Sequence, residues 1–303
     1  MLTLLEASKL KTDPLQAGVV EIFAESSPVL QYLPFLNVQG SAYQFNTEQT
    51  LPGVAFRDFN QVYTESTGVV QHHTENLKVF GGSVKVDRAL IRTQGNEADL
   101  LEIQTRMKSK AAALDFTRNF FRGDVIADPL GFDGLQKRLT GAQVLDAGST
   151  PGGDPLTLAA MDELLDTVQG GADVIFCNKF MRRKINSLMR AAGQAVETVS
   201  DVFGRQIPSY AGIPIAVIES NASGAEILDF DEAAPGGGTP ACTSVYACRM
   251  APAEYVSGLQ CGGLEVIDLG MVQSWRQIDI EWVVSFTIFN GKSAARLRGL
   301  KAA

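Results

Sequence analysis

The clearest alternation of apolar and polar residues runs through residues 277–290. Its even-numbered positions, from Ile278 to Ile288, are all apolar, whereas most odd-numbered ones are polar. Because successive side chains of a strand point to opposite faces, this period of two predicts a long strand, about 45 Å at 3.3 Å per residue. Shorter alternating segments predict strands at residues 41–47 and 76–91.

A helical pattern covers residues 96–122, with Asn96 as the predicted N-terminal cap and no Gly or Pro before Gly123. About 26 residues at 1.5 Å each give a helix of about 40 Å. We expect it to lie across a sheet. Its predicted apolar face consists of Leu100, Ile103, Met107, Ala111, Leu114 and Phe121.

The chain before residue 76 contains two segments with few local apolar partners. A short amphipathic helix is predicted from Thr12, and the Pro-containing residues 28–39 that follow are predicted to form an extended arm. Residues 48–75 are polar, with scattered aromatic residues, and too long for an ordinary connection. We expect them to form a projecting two-stranded loop that needs a neighbouring molecule.

From Gly123 onward the pattern alternates between helix and strand, which predicts a mixed α/β domain. The predicted helices cover residues 156–168 and 179–192, the second capped by Asn178. The predicted strands cover residues 172–176, 213–218, 227–230 and 244–249.

Charge and composition exclude several classes of protein. The net charge of -8 argues against electrostatic attraction to nucleic acid or to an anionic membrane. No apolar run reaches the roughly 18 residues of a membrane span, and the first ten residues, which include Glu6 and Lys9, do not resemble a secretory signal. We therefore expect a cytoplasm-like compartment and no membrane partner.

Candidate catalytic, metal-binding and cofactor-binding patterns are weak. His72 and His73 are adjacent, so in a strand they point to opposite faces and cannot chelate one metal ion. The four cysteines lack Cys-x-x-Cys spacing and are expected to be buried small residues. The glycine-rich residues 236–238 follow a proline rather than a strand, and Phe286 stands where a phosphate-binding loop ending at residues 291–293 needs glycine. We expect no enzyme activity, cofactor or metal.

The order of these elements resembles a known architecture over nearly the whole chain. The segments that carry the resemblance are 76–79 with 85–90, 96–122, 172–178 followed by Leu188 and Met189, 204–215, 264–266 and 280–290. In this order they resemble the major capsid protein of tailed bacteriophages, the Hong-Kong-97-type fold. The resemblance implies an α+β fold with an N-terminal arm (1–40), an extended E-loop (41–78), a peripheral P-domain with a long spine helix (79–130), an axial α/β A-domain (131–262) and a P-domain return strand with the C-terminus (263–303).

The resemblance also implies a function. The chain would self-assemble into pentamers and hexamers of an icosahedral shell that encloses double-stranded DNA. The shell would contact this DNA nonspecifically. Portal, scaffolding and decoration proteins are further expected partners, and the location would be the virion after assembly in the host cytoplasm. An encapsulin-type nanocompartment shell is the first alternative. A small-molecule-binding α/β enzyme, using the Gly236 loop, is the second.

Subunit contacts are expected where apolar side chains lack local partners. In the family, arms and E-loops reach neighbouring subunits, and some members join an E-loop lysine to an asparagine by an isopeptide bond. Residues 41–77 contain no lysine, so we expect a non-covalent shell. Because the arm begins near Met1, we also expect an uncleaved subunit that assembles with a separate scaffolding protein or none. The candidate contact residues are Leu30, Tyr32, Phe35, Tyr43, Phe45, Phe56, Arg57, Asp58, Phe59, Tyr63 and Glu65.

Overall fold

The computed structural model describes residues 14–90, 97–148, 151–193, 197–200, 204, 206–238 and 241–302. The predicted caps at Thr12 and Asn96 lie outside these residues. The predicted long helix is confirmed. The helices are α1 (Pro14–Ser26), α2 (Pro28–Tyr32), α3 (Glu97–Arg122), α4 (Leu135–Arg138), α5 (Leu158–Thr167) and α6 (Lys179–Ala191), with a 3-10 turn at Gly141–Gln143.

Among the described residues the strands form three sheets, and together with the helices they confirm the predicted α+β class. A four-stranded sheet has the order β1-β11-β12-β4, a seven-stranded sheet has the order β5-β13-β10-β6-β9-β8-β7, and β2 pairs with β3 alone. The strands are β1 (Phe35–Asn37), β2 (Ala42–Thr50), β3 (Val69–Asn76), β4 (Lys78–Asp87), β5 (Val144–Asp146), β6 (Val174–Cys177), β7 (Thr198–Ser200), β8 (Gln206–Tyr210), β9 (Ile213–Val217), β10 (Cys242–Cys248), β11 (Val256–Val272), β12 (Trp275–Ile288) and β13 (Ala294–Lys301).

The long strand β12 is the centre of the main core. It pairs antiparallel with β11 on one side and with β4 on the other. Its even-numbered residues from Ile278 to Phe286 are buried, as the alternation predicted. The Trp282 ring lies 5.5 Å from the Phe23 ring of α1 and 5.2 Å from the Phe116 ring of α3. Both helices therefore cover the same face of the sheet.

The buried face of α3 differs from the predicted one. Ile103 and Met107 are exposed, whereas Thr105, Ser109 and Thr117 are buried. The Ser109 hydroxyl donates a hydrogen bond to the Thr105 carbonyl at 2.7 Å. The Thr117 hydroxyl likewise donates to the backbone carbonyl one turn earlier in α3. Ser and Thr residues whose hydroxyls hydrogen-bond to their own helix can be buried in a core at little cost in free energy. A prediction of the buried face that counts only apolar residues misses them.

The prediction that residues 28–39 form an extended arm is wrong for residues 28–32, which are helical, and the segment packs on its own subunit. Residues 28–32 form α2, Leu30 and Leu33 are fully buried, and β1 pairs parallel with β11 through Phe35 and Gly258. A Cβ on Gly258 would lie 2.3 Å from the Phe35 ring, so glycine permits this close approach. These partners are more than 200 residues away in sequence, which is why the pattern did not show them.

The seven-stranded sheet carries α5 and α6, as predicted. Asn178 caps α6, because its side-chain oxygen accepts a hydrogen bond from the Met181 amide at 2.8 Å. The predicted strand at residues 227–230 is wrong. Its Leu228 carbonyl accepts a hydrogen bond from the Asn178 side chain at 2.8 Å instead of pairing in the sheet.

The C-terminal segment also differs from the expectation that residues 263–303 return to the P-domain. Strand β13 lies inside the seven-stranded sheet, antiparallel to β10 and parallel to β5. Its Arg296 is buried and pairs with Glu232 at 2.7 Å. The chain therefore returns through β12 to the four-stranded sheet and then ends in the seven-stranded one.

Candidate assembly surfaces

The β2–β3 hairpin is firmly attached at its base. Glu75 accepts two hydrogen bonds from Arg138, at 2.8 and 2.6 Å, and a third from the Ser285 hydroxyl at 3.1 Å. On the other side of the base, the Phe45 ring lies 4.8 Å from the Phe289 ring and 5.3 Å from the His73 ring. Tyr43 and Phe45 thus contact their own chain and are only half-buried by it, so their contact with a neighbour stays a prediction.

The tip of the hairpin, residues 51–68, projects with its large apolar side chains in solvent. Phe56 is fully exposed and Phe59 is 92% exposed. The other exposed apolar side chains of the tip are Leu51, Val54, Val62 and Tyr63. A monomer rarely exposes so many large apolar groups together, so this tip is the strongest candidate for burial against another molecule.

The charged residues of the tip contribute to its local shape. The Arg57 guanidinium donates to the Gln61 carbonyl at 3.1 Å and lies 5.1 Å from the centre of the Tyr63 ring. The Asp58 carboxylate accepts a hydrogen bond from the Phe59 amide at 2.7 Å. Glu65 is exposed. The structure therefore brings together Phe56, Arg57, Asp58, Phe59, Tyr63 and Glu65 in one projecting segment.

The candidate contact residues of the predicted N-terminal arm do not lie in the hairpin tip. Leu30 is 0% exposed, and Tyr32 and Phe35 are half-buried against the rings of Phe176 and Trp282. Because Leu30 makes its contacts inside its own subunit, its prediction as a subunit contact is corrected. The neighbouring residues in the sequence could have separated the arm residues from those of the tip. The arm is mostly apolar, whereas in the tip apolar residues are mixed with polar ones.

Further exposed apolar residues were missed by the sequence reasoning. Ile126 and Leu130 project from the turn after α3, which Asp124 and Asp128 stabilise by accepting backbone hydrogen bonds. The tip of the β11–β12 hairpin exposes Ile267, Leu269, Met271, Val272 and Trp275. Their apolar character is visible in the sequence, but their exposure depends on the fold.

Charged groups also connect the elements. Arg122 at the end of α3 donates to both carboxylate oxygens of Asp231, at 2.6 and 2.5 Å, and these hydrogen bonds hold the pKa of Asp231 below its usual range. The buried Arg296–Glu232 pair also contacts the Ser244 hydroxyl. The first pair links the end of α3 to the loop before β10, and the second links strand β13 to the same loop.

The two histidines and the cysteines, considered above as candidate chemical groups, have structural roles in the fold. His72 and His73 hydrogen-bond to Asn46 and Thr47 across the hairpin, and in the described part of the chain no group of His, Cys, Asp or Glu side chains could hold a metal ion. Cys177, Cys242 and Cys248 are buried, as predicted, whereas Cys261 is only half-buried. Burial raises the pKa of the Cys177 thiol to about 12. Within the described ranges no helix is both long and apolar enough to cross a membrane.

Comparison with known proteins agrees with this architecture. The model of the family described as Major capsid protein GP7 matches residues 12–157. The capsid of a native GTA particle matches with a TM-score of 0.64 and 13% identity over 91% of both chains, and a Microbacterium phage Oxtober96 structure with a TM-score of 0.63, also at 13% identity over 91% of both. The SrpI encapsulin complex of Synechococcus elongatus PCC 7942 matches with a TM-score of 0.68 and 15% identity over 90% of this chain and 87% of that one. No curated protein sequence matches.

At these identities the structural matches establish the fold, which is that of Hong-Kong-97-type capsid proteins. The family model adds the class: the predicted resemblance to tailed-phage major capsid proteins is confirmed, and with it the general function of a capsid protein.

Proposed function

We propose that this chain is the repeating subunit of an icosahedral shell, assembled from pentamers and hexamers, that encloses the double-stranded DNA of a tailed bacteriophage. The observation that carries the proposal is the hairpin tip at residues 51–68, whose exposed aromatic residues stand on a base fixed by Glu75 and Arg138. A firmly held hairpin with an apolar end is suited to docking on an adjacent subunit.

The parts of the fold would have different roles in this shell. The hairpin around residues 41–78 acts as the E-loop, α3 with the four-stranded sheet as the P-domain, and the seven-stranded sheet as the A-domain. The A-domain includes β13, so its proposed extent is residues 131–248 together with 294–301. The N-terminal residues described from Pro14 onward support the subunit's own core rather than a neighbour.

Association free energy would come chiefly from the hairpin tip. Full burial of a Phe side chain contributes about 1.5–3 kcal/mol, and each subunit supplies Phe56 and Phe59. Arg57, Asp58 and Glu65 would add ion pairs across the subunit boundary, each worth about 0–1 kcal/mol at an exposed site. Repetition around the shell multiplies these contributions.

Other partners follow from the same role. Because the chain's net charge of -8 provides no overall attraction to DNA, its contact with packaged DNA would be weak and nonspecific. Portal, scaffolding and decoration proteins would bind the assembled shell or its precursor. The subunit would be located in the virion after assembly in the host cytoplasm.

An encapsulin-type shell is a second candidate, favoured by the structural match to the Synechococcus elongatus complex. Encapsulins commonly use an N-terminal helix to dock cargo. In this chain the apolar residues Val19, Val20 and Phe23 of α1 are buried in the subunit's own core. One face of α1 is therefore occupied within the subunit, whereas Ile22, Glu25 and Ser26 of the same helix line a cavity.

An enzyme is the least supported alternative. A cavity of about 940 Å³ lies between α1, α3 and the β8–β9 hairpin, and no residue of the Gly236 loop proposed for a small molecule lines it. That loop is instead held by a hydrogen bond from the Gly152 amide to the Gly237 carbonyl, at 3.1 Å.

The contents of purified particles test the proposal. Particles isolated from infected or lysogenic cells and treated with nuclease should retain protected double-stranded DNA. Closed shells that contain protein instead of DNA would favour the encapsulin role, and a monodisperse monomer at high concentration would contradict a shell of either kind.

A further inference from the structure

The turn between β12 and β13, residues 289–293, carries the chain from the four-stranded sheet to the seven-stranded one. The Asn290 carbonyl accepts two hydrogen bonds from Ser293, one from its amide at 3.0 Å and one from its hydroxyl at 2.6 Å. The Ser293 carbonyl in turn accepts a hydrogen bond from the Arg249 amide of the seven-stranded sheet at 2.8 Å. The conformation of this turn therefore fixes where β13 begins.

The glycine at position 291 is not required by the conformation of this turn. Its φ lies outside the left-handed region that favours glycine, and a Cβ added to it would meet no atom within 4 Å. Within the part of the chain that the structure describes, the exposed Gly291 amide donates no hydrogen bond. The structure therefore gives no steric reason for glycine after Asn290, and this is the only Asn-Gly pair in the chain.

The side-chain amide of Asn290 is activated by its hydrogen bonds. Its Oδ1 accepts from the Lys292 amide at 3.0 Å, and a donor at this oxygen stabilises the negative charge that develops when a nucleophile adds to Cγ. Its Nδ2, which would be the leaving group, has one long contact, 3.4 Å to the Gln169 Oε1. The adjacent nucleophile is the Gly291 nitrogen, which has no hydrogen-bond acceptor to leave and no Cβ to hinder its approach.

We propose that Asn290 is a site of spontaneous deamidation through Gly291. The Gly291 nitrogen loses its proton to solvent base and bonds to Cγ of Asn290, while the Cγ–Nδ2 bond breaks and Nδ2 takes up a proton and leaves as ammonia. Water then opens the resulting succinimide ring. Opening at Cγ gives Asp, and opening at the main-chain carbonyl carbon gives isoaspartate. The net reaction converts Asn and water to Asp or isoaspartate and ammonia, without oxidation or reduction.

Both products change the joint between the two sheets. Asp places a negative charge where a neutral amide stood. Isoaspartate adds a methylene group to the main chain and turns the carbonyl that accepts both Ser293 hydrogen bonds into a free carboxylate. The modified turn should hold β13 less firmly, so the stability of the subunit should fall as a sample ages. This inference is independent of the proposed shell function, because the reaction needs only this chain and water.

Asn221 provides a matched comparison within the same chain. Its Oδ1 accepts from the Ser223 amide at 3.0 Å, which is the same contact, two residues further on, that Asn290 makes with Lys292. Asn221 also lies in a turn, but the exposed Ala222 follows it. Because the Ala222 methyl group hinders approach of its own backbone nitrogen to Cγ, Asn221 should be modified several-fold more slowly than Asn290.

Storage of the purified full-length chain, followed by mass spectrometry of tryptic peptides, tests the proposal. Peptide 277–292 contains Asn290 as its sole asparagine, and peptide 206–249 contains Asn221 as its sole asparagine. The first peptide should convert to Asp and isoaspartate forms with time, and faster at higher pH because the attacking nitrogen must lose its proton. The second should change several-fold more slowly. A sample digested without storage is the blank.

Two variants exchange the residue that follows each asparagine. Gly291→Ala should slow conversion of Asn290 several-fold and leave the folding of fresh protein unchanged, because the structure has room for the Cβ. Ala222→Gly should create a second site of conversion at Asn221. On storage the urea midpoint of the unsubstituted chain should fall, whereas that of Gly291→Ala should stay constant. Circular dichroism confirms that each fresh variant is folded.

Three results would overturn the inference. Equal conversion of Asn290 and Asn221 in the unsubstituted chain, or an unchanged rate in Gly291→Ala, would show that Gly291 does not direct the reaction. Conversion of Asn290 only in chains unfolded by urea would show that the folded turn protects it. Conversion without a fall in the urea midpoint would contradict the stated effect on β13.

Discussion

At the scale of single residues, the buried pair of Arg296 and Glu232 connects the last strand to the loop before β10. The two side chains are 8% and 6% exposed, and the Ser244 hydroxyl completes the cluster. Isolated buried charges are expensive, so each partner depends on the other. The pair therefore fixes the C-terminal strand in the seven-stranded sheet.

Replacing one partner should destabilise the subunit strongly. We predict that Arg296→Leu lowers the free energy of unfolding by about 3–5 kcal/mol, because Glu232 is left buried without its cation. Arg298→Leu is the matched control, since Arg298 pairs with Asp146 two residues further along the same strand but at 43% exposure. Its expected cost is about 0–1 kcal/mol. Urea unfolding of unassembled subunits measures both, and equal losses would contradict this account of burial.

Residue-level prediction from the sequence was limited by tertiary context. Leu30 and Phe56 both lie in segments without local apolar periodicity, and both were predicted as subunit contacts. Leu30 meets partners on distant strands and is buried, whereas Phe56 remains in solvent. The mostly apolar surroundings of Leu30 are the one local sign of its burial, but the local sequence does not state where its distant partners lie.

At the scale of elements, the hairpin tip should respond to assembly. Arg57 is the only Lys or Arg between Ser41 and Leu77. We predict rapid tryptic cleavage after Arg57 in unassembled subunits and much slower cleavage in shells, because a neighbour would cover the tip. An Arg57→Gln chain controls for cleavage elsewhere. Equal protection in subunits and shells would count against docking of the tip.

The stability that the junction between α3 and the loop at Asp231 gives to the fold should depend on pH. Hydrogen bonds from Arg122 lower the pKa of Asp231 in the folded state, so the pair stabilises the fold above the unfolded pKa of about 3.9. This stabilisation is lost as pH falls through the lower folded pKa. We predict that the stability difference between the natural chain and Asp231→Asn is largest near pH 6 and disappears in acid. A difference that stays constant from pH 6 to pH 2 would show that the ion pair contributes nothing.

Elements were predicted well where periodicity is strong. The alternation before residue 290 and the uninterrupted helical stretch after residue 96 gave β12 and α3 within two residues of their bounds. Strand β11 was missed because Gly262, Gly263 and Gly270 interrupt its pattern, and the first two lie at a bulge in its pairing with β12. The face of α3 was mispredicted because its buried side includes Thr105, Ser109 and Thr117.

At the scale of the whole molecule, the shell should hold without covalent links. The hairpin contains no lysine before Lys78, whose amine donates to the Pro129 carbonyl at 2.9 Å at the hairpin base. Arg57 cannot replace it, since its guanidinium stays protonated. Particles boiled in detergent with reductant should give one band near 32.5 kDa. A ladder of pentamer and hexamer multiples would reveal a nucleophile outside the hairpin.

The most direct test of the central claim is a reconstruction of the assembled particle by electron cryo-microscopy. We predict a closed icosahedral shell of five- and six-membered rings, in which residues 51–68 of each subunit lie against the adjacent subunit and bury Phe56 and Phe59. A particle in which this tip extends into solvent, or a sample that contains only separate subunits at assembly concentrations, would contradict the account.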